Sequence, residues 1–264
     1  MMMKALAVIS ISMTTNSFPA YSQDMMDLVD LSTAEWSGSD TTRSEIEKLL
    51  ANASTGAVVD LTNRRLSGLD LSNLDFSGAD MRWARLNNAS LVNTNLRDTK
   101  LDLAWLMGAN MENADFTGAS LRSTQLRNAI LKGANFDHTR ITANFKGADL
   151  TGASFRNSDL SADMKNQSMG LMGTVMTSTK LIDVDFSGAN LSRVDAEFAK
   201  FNNAVLDDVD LSGSKLGGAN LTGASVKNLN LENADLNGTK LKSLLNDSHI
   251  IGLDKAQNLS RAQR

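Results

Sequence analysis

The sequence predicts an all-β solenoid, a coil of short extended segments joined by tight corners. Three observations predict it. A large apolar residue recurs at every fifth position, as in Met111, Phe116 and Leu121. A small residue stands two places before it, as Ala114 does before Phe116. The residue two places after it is often Gly or Asn, as at Gly68, Asn73, Gly78, Asn113 and Gly118.

A beat of five fits neither common element. On a helix each step of five turns about 140°, which scatters apolar residues around the axis instead of making a stripe. On a strand an odd step sends successive ones to opposite faces. Within a single pentapeptide, however, the central residue and the small one two before it point the same way along an extended segment. Gly and Asn best tolerate the positive φ that turns the chain next. Each pentapeptide therefore forms one side of a coil. The first run of centres goes from Leu61 through Leu66, Leu71, Phe76 and Met81 to Ile141, and a second from Leu171 through Met176 and Phe186 to Leu241. Ala196 is the one small centre of the second run.

The A-(D/N)-L-x-x pattern, seen in Ala79-Asp80-Met81, Ala114-Asp115-Phe116, Ala148-Asp149-Leu150 and Ala189-Asn190-Leu191, resembles the pentapeptide-repeat family. The resemblance implies a right-handed quadrilateral β-helix with four pentapeptides per coil. Residues 57–243 then make about nine coils, a rod roughly 43 Å long at the strand spacing. Positions twenty apart stack, so Phe76, Phe116, Phe136 and Phe155 form a column interrupted by Leu96.

The flanks read differently. Met1-Met2-Met3-Lys4, a short apolar run to Met13, and Ala20-x-Ser22 before Gln23 read as a signal peptide over residues 1–22. The apolar run is too short to span a bilayer. The mature chain is then expected in the periplasm or outside the cell. With no cysteine in the chain, neither a lipid anchor on cysteine nor a disulfide is expected. Residues 23–56 lack the repeat and are expected to form an N-terminal helical cap, opened by the capping box Thr42-x-x-Glu45, with Ile46, Leu49, Leu50 and Ala53 on one side and Gly56 at its end. A solenoid end leaves strand edges unpaired, which such a cap covers.

Phase slips once. Phe145, Leu150, Phe155 and Leu160 come one place early, and the original phase returns at Leu171. The expectation is one rod with a loop at 161–170. If the segment after Leu160 spends one ordinary side, Leu160 stacks under Leu181 and Phe155 under Met176. That arrangement gathers Arg82, Lys100, Arg122, Arg140, Lys180, Lys200, Lys240 and Lys242 on one side. It gathers Asp75, Asp98, Asp115, Asp137, Asp195, Glu197 and Asp235 on another. The methionines of the Met164–Met176 region, including Met169 and Met172, carry thioethers that suit copper(I). They also suit irregular packing, and packing is the expectation. At the C-terminus, Leu253, Leu259 and Ala262 follow Gly252 at helical spacing, so residues 244–264 are expected to be a second helical cap. In some family members such a segment looks like the dimer contact, so the resemblance leaves two readings open, a second lid or a lid that also pairs two rods into a homodimer.

Chemistry is sparse. His138 falls on an outer corner and His249 near the end, and neither belongs to a triad or metal-ligand spacing. Asp residues before the centres, such as Asp70, Asp80 and Asp149, are expected to bond the corner backbone. No enzyme, cofactor or small-molecule substrate is expected. Direct nucleic-acid binding is not expected at a pI of about 5.2. The function expected is a non-catalytic exported scaffold for protein contacts. The resemblance implies an alternative, a DNA-mimicking binder of a type II topoisomerase such as gyrase. The partner site is expected where large apolar residues break the polar outer surface, at Trp83, Leu103, Trp105 and Met107. The alternative reading is that the N-terminal segment, through Trp36, folds over the same corner and buries it; the sequence leaves the two open.

Overall fold

The computed structural model describes residues 33–54, 56–162 and 173–264. The signal-peptide segment, most of the 161–170 loop, and Met164, Met169, Leu171 and Met172 lie outside the described residues. Parallel bridges recur every fifth residue, each to a partner twenty positions on: Asp60 to Asp80, Arg65 to Arg85, Asp70 to Ser90 and Asp75 to Asn95. Four segments thus make one turn, and we call the four sides after these first residues. Every described repeat centre is buried, from Leu61 at 1% exposure to Leu241 at 8%.

The small residue before each centre is buried with it, as at Ala84, Ala104 and Ala114. Where Thr takes that place, its hydroxyl donates to a nearby carbonyl, as Thr124 does to Leu101 at 2.9 Å and Thr239 to Leu216 at 2.8 Å. The corner residues adopt positive φ, 63° at Asn73 and 73° at Gly118. The Asp before a centre caps its own corner: the Thr62 N–H donates to Asp60 Oδ1 at 2.9 Å, and the Ser72 N–H to Asp70 Oδ1 at 3.0 Å.

Phe116, Phe136 and Phe155 stack face to face with centroids 4.6 Å apart at both steps. Phe145 meets Phe136 edge-on at 6.1 Å. The column continues into Phe186 at 4.9 Å, not into Met176, which corrects the expected register. The bridges explain why. Asn144 pairs with Val175, Asp149 with Lys180, Ser154 with Asp185 and Asp159 with Asn190. Leu160 thus lies under Leu191, and among the described residues the side that follows Asp159 is the one at Val175. Every residue from Val175 on moves half a turn from its expected side.

Ahead of the rod, Arg43–Ala51 is an α-helix. Thr42 caps it with both bonds of the capping box: Thr42 Oγ1 accepts from the Glu45 N–H, and the Glu45 carboxylate accepts from the Thr42 N–H at 2.8 Å. Ile46 is buried in the core, whereas Leu49 is 43% exposed, outside the expected apolar stripe. The helix stops at Asn52 rather than Gly56. Arg43 donates to the Asp70 and Ser72 carbonyls of the first coil.

At the far end, three 3₁₀ turns, Asp247–His249, Leu253–Lys255 and Leu259–Arg261, replace the expected α-helix. Each follows a left-handed residue, Asn246, Gly252 or Asn258, and a left-handed residue every six positions breaks any helix. Bridges from Ser225 to Leu245, Asn230 to Ile251, Asp235 to Gln257 and Lys240 to Gln263 make this segment one more coil with longer sides.

Candidate functional site

The four residues singled out in the sequence fall on two coils around one corner. Trp83 and Leu103 occupy the same corner position one coil apart, with the Leu103 N–H bonded to the Arg122 carbonyl at 2.8 Å and the Trp83 N–H to Asp102 at 3.1 Å. Both have φ of 63°. A large side chain is uncommon in the left-handed region and strained there. Trp83 is 52% exposed and Leu103 half-buried.

Trp105 starts the next side, bridged to Arg85 below and Gln125 above. It does not stand open to solvent. The Trp36 ring packs on it at 4.3 Å, the Arg85 guanidinium lies 4.6 Å over the Trp36 ring, and Asn87 donates to the Trp36 carbonyl at 3.3 Å. Met107 is 5% exposed, its N–H bonded to Asn87 Oδ1 at 3.0 Å. The intramolecular cover by Trp36 is therefore real at Trp105, and Trp83 stays open beside it.

The half-turn correction redistributes the charges. Arg82, Lys100, Arg122 and Arg140 stay on the Asp60 side, while Lys180, Lys200 and Lys240 stand on the Asp70 side. Asp75, Asp115 and Asp185 share the Asp75 side, and Asp195 and Asp235 join the Arg65 side. Arg82 donates to both oxygens of Asp80, and these bonds hold the Asp80 carboxyl below its ordinary range. Burial works against ionisation of Asp149 and Asp185. Bonds from the following Thr151 or Ser187, and from Lys180 or Arg156, outweigh it and hold both carboxyls low.

One feature escaped sequence reading. The capping helix and the first coil enclose an open cleft of about 360 Å³ lined by Glu47, Leu50, Val59, Leu74, Asp75 and Phe76. Only the packing of a helix on a coil end creates it, so no repeat position marks it. Among the described residues no group of three His, Cys, Asp or Glu is placed to hold a metal ion. Met176 is a buried repeat centre.

A family model described as pentapeptide repeats matches the chain in eight copies, over residues 59–91, 75–113, 104–142, 143–162, 171–208 and 204–242. The chain is a pentapeptide-repeat protein. Its coil is thereby of the right-handed β-helix type, and pentapeptide-repeat proteins are generally non-catalytic. Among solved structures it is similar to HetL of the cyanobacterium Nostoc sp. strain PCC 7120, described as involved in heterocyst differentiation regulation. The identity is 28%, covering 84% of this chain and 94% of HetL, with a TM-score of 0.45. A pentapeptide-repeat protein of the Arabidopsis thaliana thylakoid lumen is 28% identical over 44% of this chain and 71% of its own, with a TM-score of 0.26. QnrB1, described as a plasmid-mediated fluoroquinolone resistance protein, is 19% identical over 71% of this chain and 93% of its own, with a TM-score of 0.27. None of the curated proteins compared matches the chain. No helix among the described residues is long and apolar enough to cross a membrane.

Proposed function

We propose that this pentapeptide-repeat protein is a non-catalytic exported rod of about nine coils, closed by caps, that presents a rigid surface to a protein partner. The observation that carries this reading is the Trp83–Leu103 corner. Corners elsewhere in this chain mostly hold Asn, Gly, Asp or Ser. Two large apolar residues kept there at a conformational cost, one of them 52% exposed, fit a contact surface better than a packing need. Trp105 and Met107 form its half-covered continuation. Export rests on residues 1–22 acting as a signal peptide cut before Gln23. Leu245 and Ile251, 57% and 42% exposed on the last coil, are the surface through which a homodimer would form.

The test is to fractionate cells expressing the full chain, weigh the exported product, and cross-link it as wild type and as Trp83→Asn. A product starting at Gln23, with a cross-linked protein lost in the variant at undiminished melting temperature, supports the reading. Retention in the cytoplasm with Met1 intact overturns the export. A partner captured equally by the variant overturns the corner.

One observation favours a second reading, mimicry of DNA toward a type II topoisomerase. The true register lines Asp75, Asp115 and Asp185 along one side, with Asp98, Asp137, Asp207 and Asp208 on the same stretches of chain. Inhibition of purified gyrase by the full chain, abolished by charge reversal on that side alone, would establish it.

A further inference from the structure

Along its last coils the Asp70 side is unlike its neighbours. Residues 199–203, 219–223, 239–243 and 262–264 carry Lys200, Lys240, Lys242 and Arg264 and no carboxylate side chain, in a chain of net charge −4. All four cations are exposed. Among the described residues none of the three lysines has a carboxylate within ion-pair distance, whereas Lys180 on the coil before them is tied to Asp149 at 3.1 Å. Between Lys200 and Lys240 stands Asn220, whose Oδ1 accepts from the Thr222 N–H and hydroxyl. Its Nδ2 donates to nothing among the described residues. Lys200, Asn220 and Lys240 thus form a column of unspent donors, the two lysines standing two coils, roughly 10 Å, apart.

The corner that opens this side holds Phe198, 62% exposed at φ 59°. A phenyl group there is both strained and open to solvent, so core packing does not account for it. Its ring lies on Gly218 of the next coil, where an added Cβ would come within 2.6 Å of Cδ1. The ring is thereby seated level with Asn220, between the coils of Lys200 and Lys240. The adjoining sides set the width of the strip. The Arg65 side carries Asp195, Glu197 and Asp235 against Lys215, and the Asp75 side carries Asp207, Asp208 and Asp247 against Lys227.

We propose that this strip binds an acidic polysaccharide laid along the rod, with successive acidic groups on Lys200 and Lys240 and a sugar ring on Phe198. The site is separate from the Trp83–Leu103 corner and does not depend on it. A bilayer or a nucleic-acid duplex is wider than one side, and would press its own charge on the acids of both adjoining sides. A narrow polyanion avoids them. A polysaccharide with one carboxylate per disaccharide spaces its charges at about the two-coil interval, whereas a nucleic-acid strand crowds its phosphates closer. The C–H face of a sugar ring lies flat on the negative face of a phenyl ring, and its hydroxyls accept from the Asn220 amide. An acidic peptide matches the charges but brings no flat face to Phe198.

The probe is a labelled hyaluronate oligosaccharide, with one carboxylate per disaccharide, titrated with the full chain by fluorescence anisotropy over a salt series. The expected result is binding that weakens with salt, and falls by about tenfold in Lys200→Glu and in Lys240→Glu. Phe198→Asn is expected to weaken it by about tenfold as well, and the fold is kept because Asn suits a left-handed corner. Lys227→Glu on the Asp75 side is expected to leave the affinity unchanged, and a neutral dextran is expected not to bind. Circular dichroism checks that each variant is folded. Absence of binding to the oligosaccharide, or full affinity in both Lys200→Glu and Lys240→Glu, overturns the proposal. An equal loss in Lys227→Glu overturns it too, since net charge alone then does the binding. So does full affinity in Phe198→Asn, because lysines by themselves select no sugar. Tighter binding of a single-stranded oligonucleotide, an aspartate-rich peptide or vesicles of anionic phospholipid assigns the strip to that ligand and overturns the polysaccharide.

Discussion

Phe155 stacks on Phe186, with ring centroids 4.9 Å apart and planes 20° apart, although the five-residue beat is interrupted between them. The two rings carry one phenyl column from Phe116 onward across the interruption. The ring column therefore continues across the interrupted beat, and Phe145 braces it edge-on at Phe136 and Phe155.

Phe136 lies at the middle of that column with a ring on each face. Phe136→Ala is expected to cost about 3–5 kcal/mol, since a stacked coil cannot collapse into the cavity. Denaturant unfolding measures it, and a midpoint equal to wild type would disprove buried stacking.

Trp83→Asn moves in the opposite direction. Asn suits the left-handed corner that Trp83 occupies at φ 63°, so relief of strain is expected to raise stability by about 1 kcal/mol. A fall of that size would mean the Trp83 ring packs usefully on the rod.

The capping box at Thr42 and Glu45 is a local device. Thr42→Ala is expected to lower protection of the Arg43–Ala51 amides by about 1 kcal/mol. Hydrogen exchange reads this, with the coil amides unaffected. Equal loss throughout the rod would show that helix and coil unfold as one unit.

Acid should unfold the rod through its corner carboxylates. Asp60, Asp70, Asp80, Asp115, Asp149 and Asp185 are all held below the ordinary carboxylate value, largely by bonds from the residue two places on. A lowered folded pKa contributes stability that is complete above the unfolded value and disappears as pH falls through the folded one. The melting temperature is expected to be level above about pH 5 and to drop below about pH 4. Asp149→Asn should flatten part of that drop, and a profile identical to wild type would count against it.

Sequence alone determined the coil. A beat of five with small and corner residues in fixed places makes each pentapeptide one side of a coil, and it identified the buried centres and the capping box, whereas the packing of Trp36 on Trp105 was one of two alternatives that it left open. It misread Leu253 to Ala262 because a spacing of three fits 3₁₀ turns as well as a helix, and left-handed Gly252 and Asn258 decide between them. The faces beyond Leu160 were out of its reach. The apolar beat reports position modulo five, whereas the side a residue occupies depends on position modulo twenty. Any excursion that restores the beat leaves that second count open. Only the stacking of Phe155 on Phe186 and Leu160 under Leu191 sets it, because ring contact and backbone bridges form between coils and not along the chain. The places of Lys180, Lys200 and Lys240 on the Asp70 side, and of Asp185 on the Asp75 side, therefore belong to the tertiary structure.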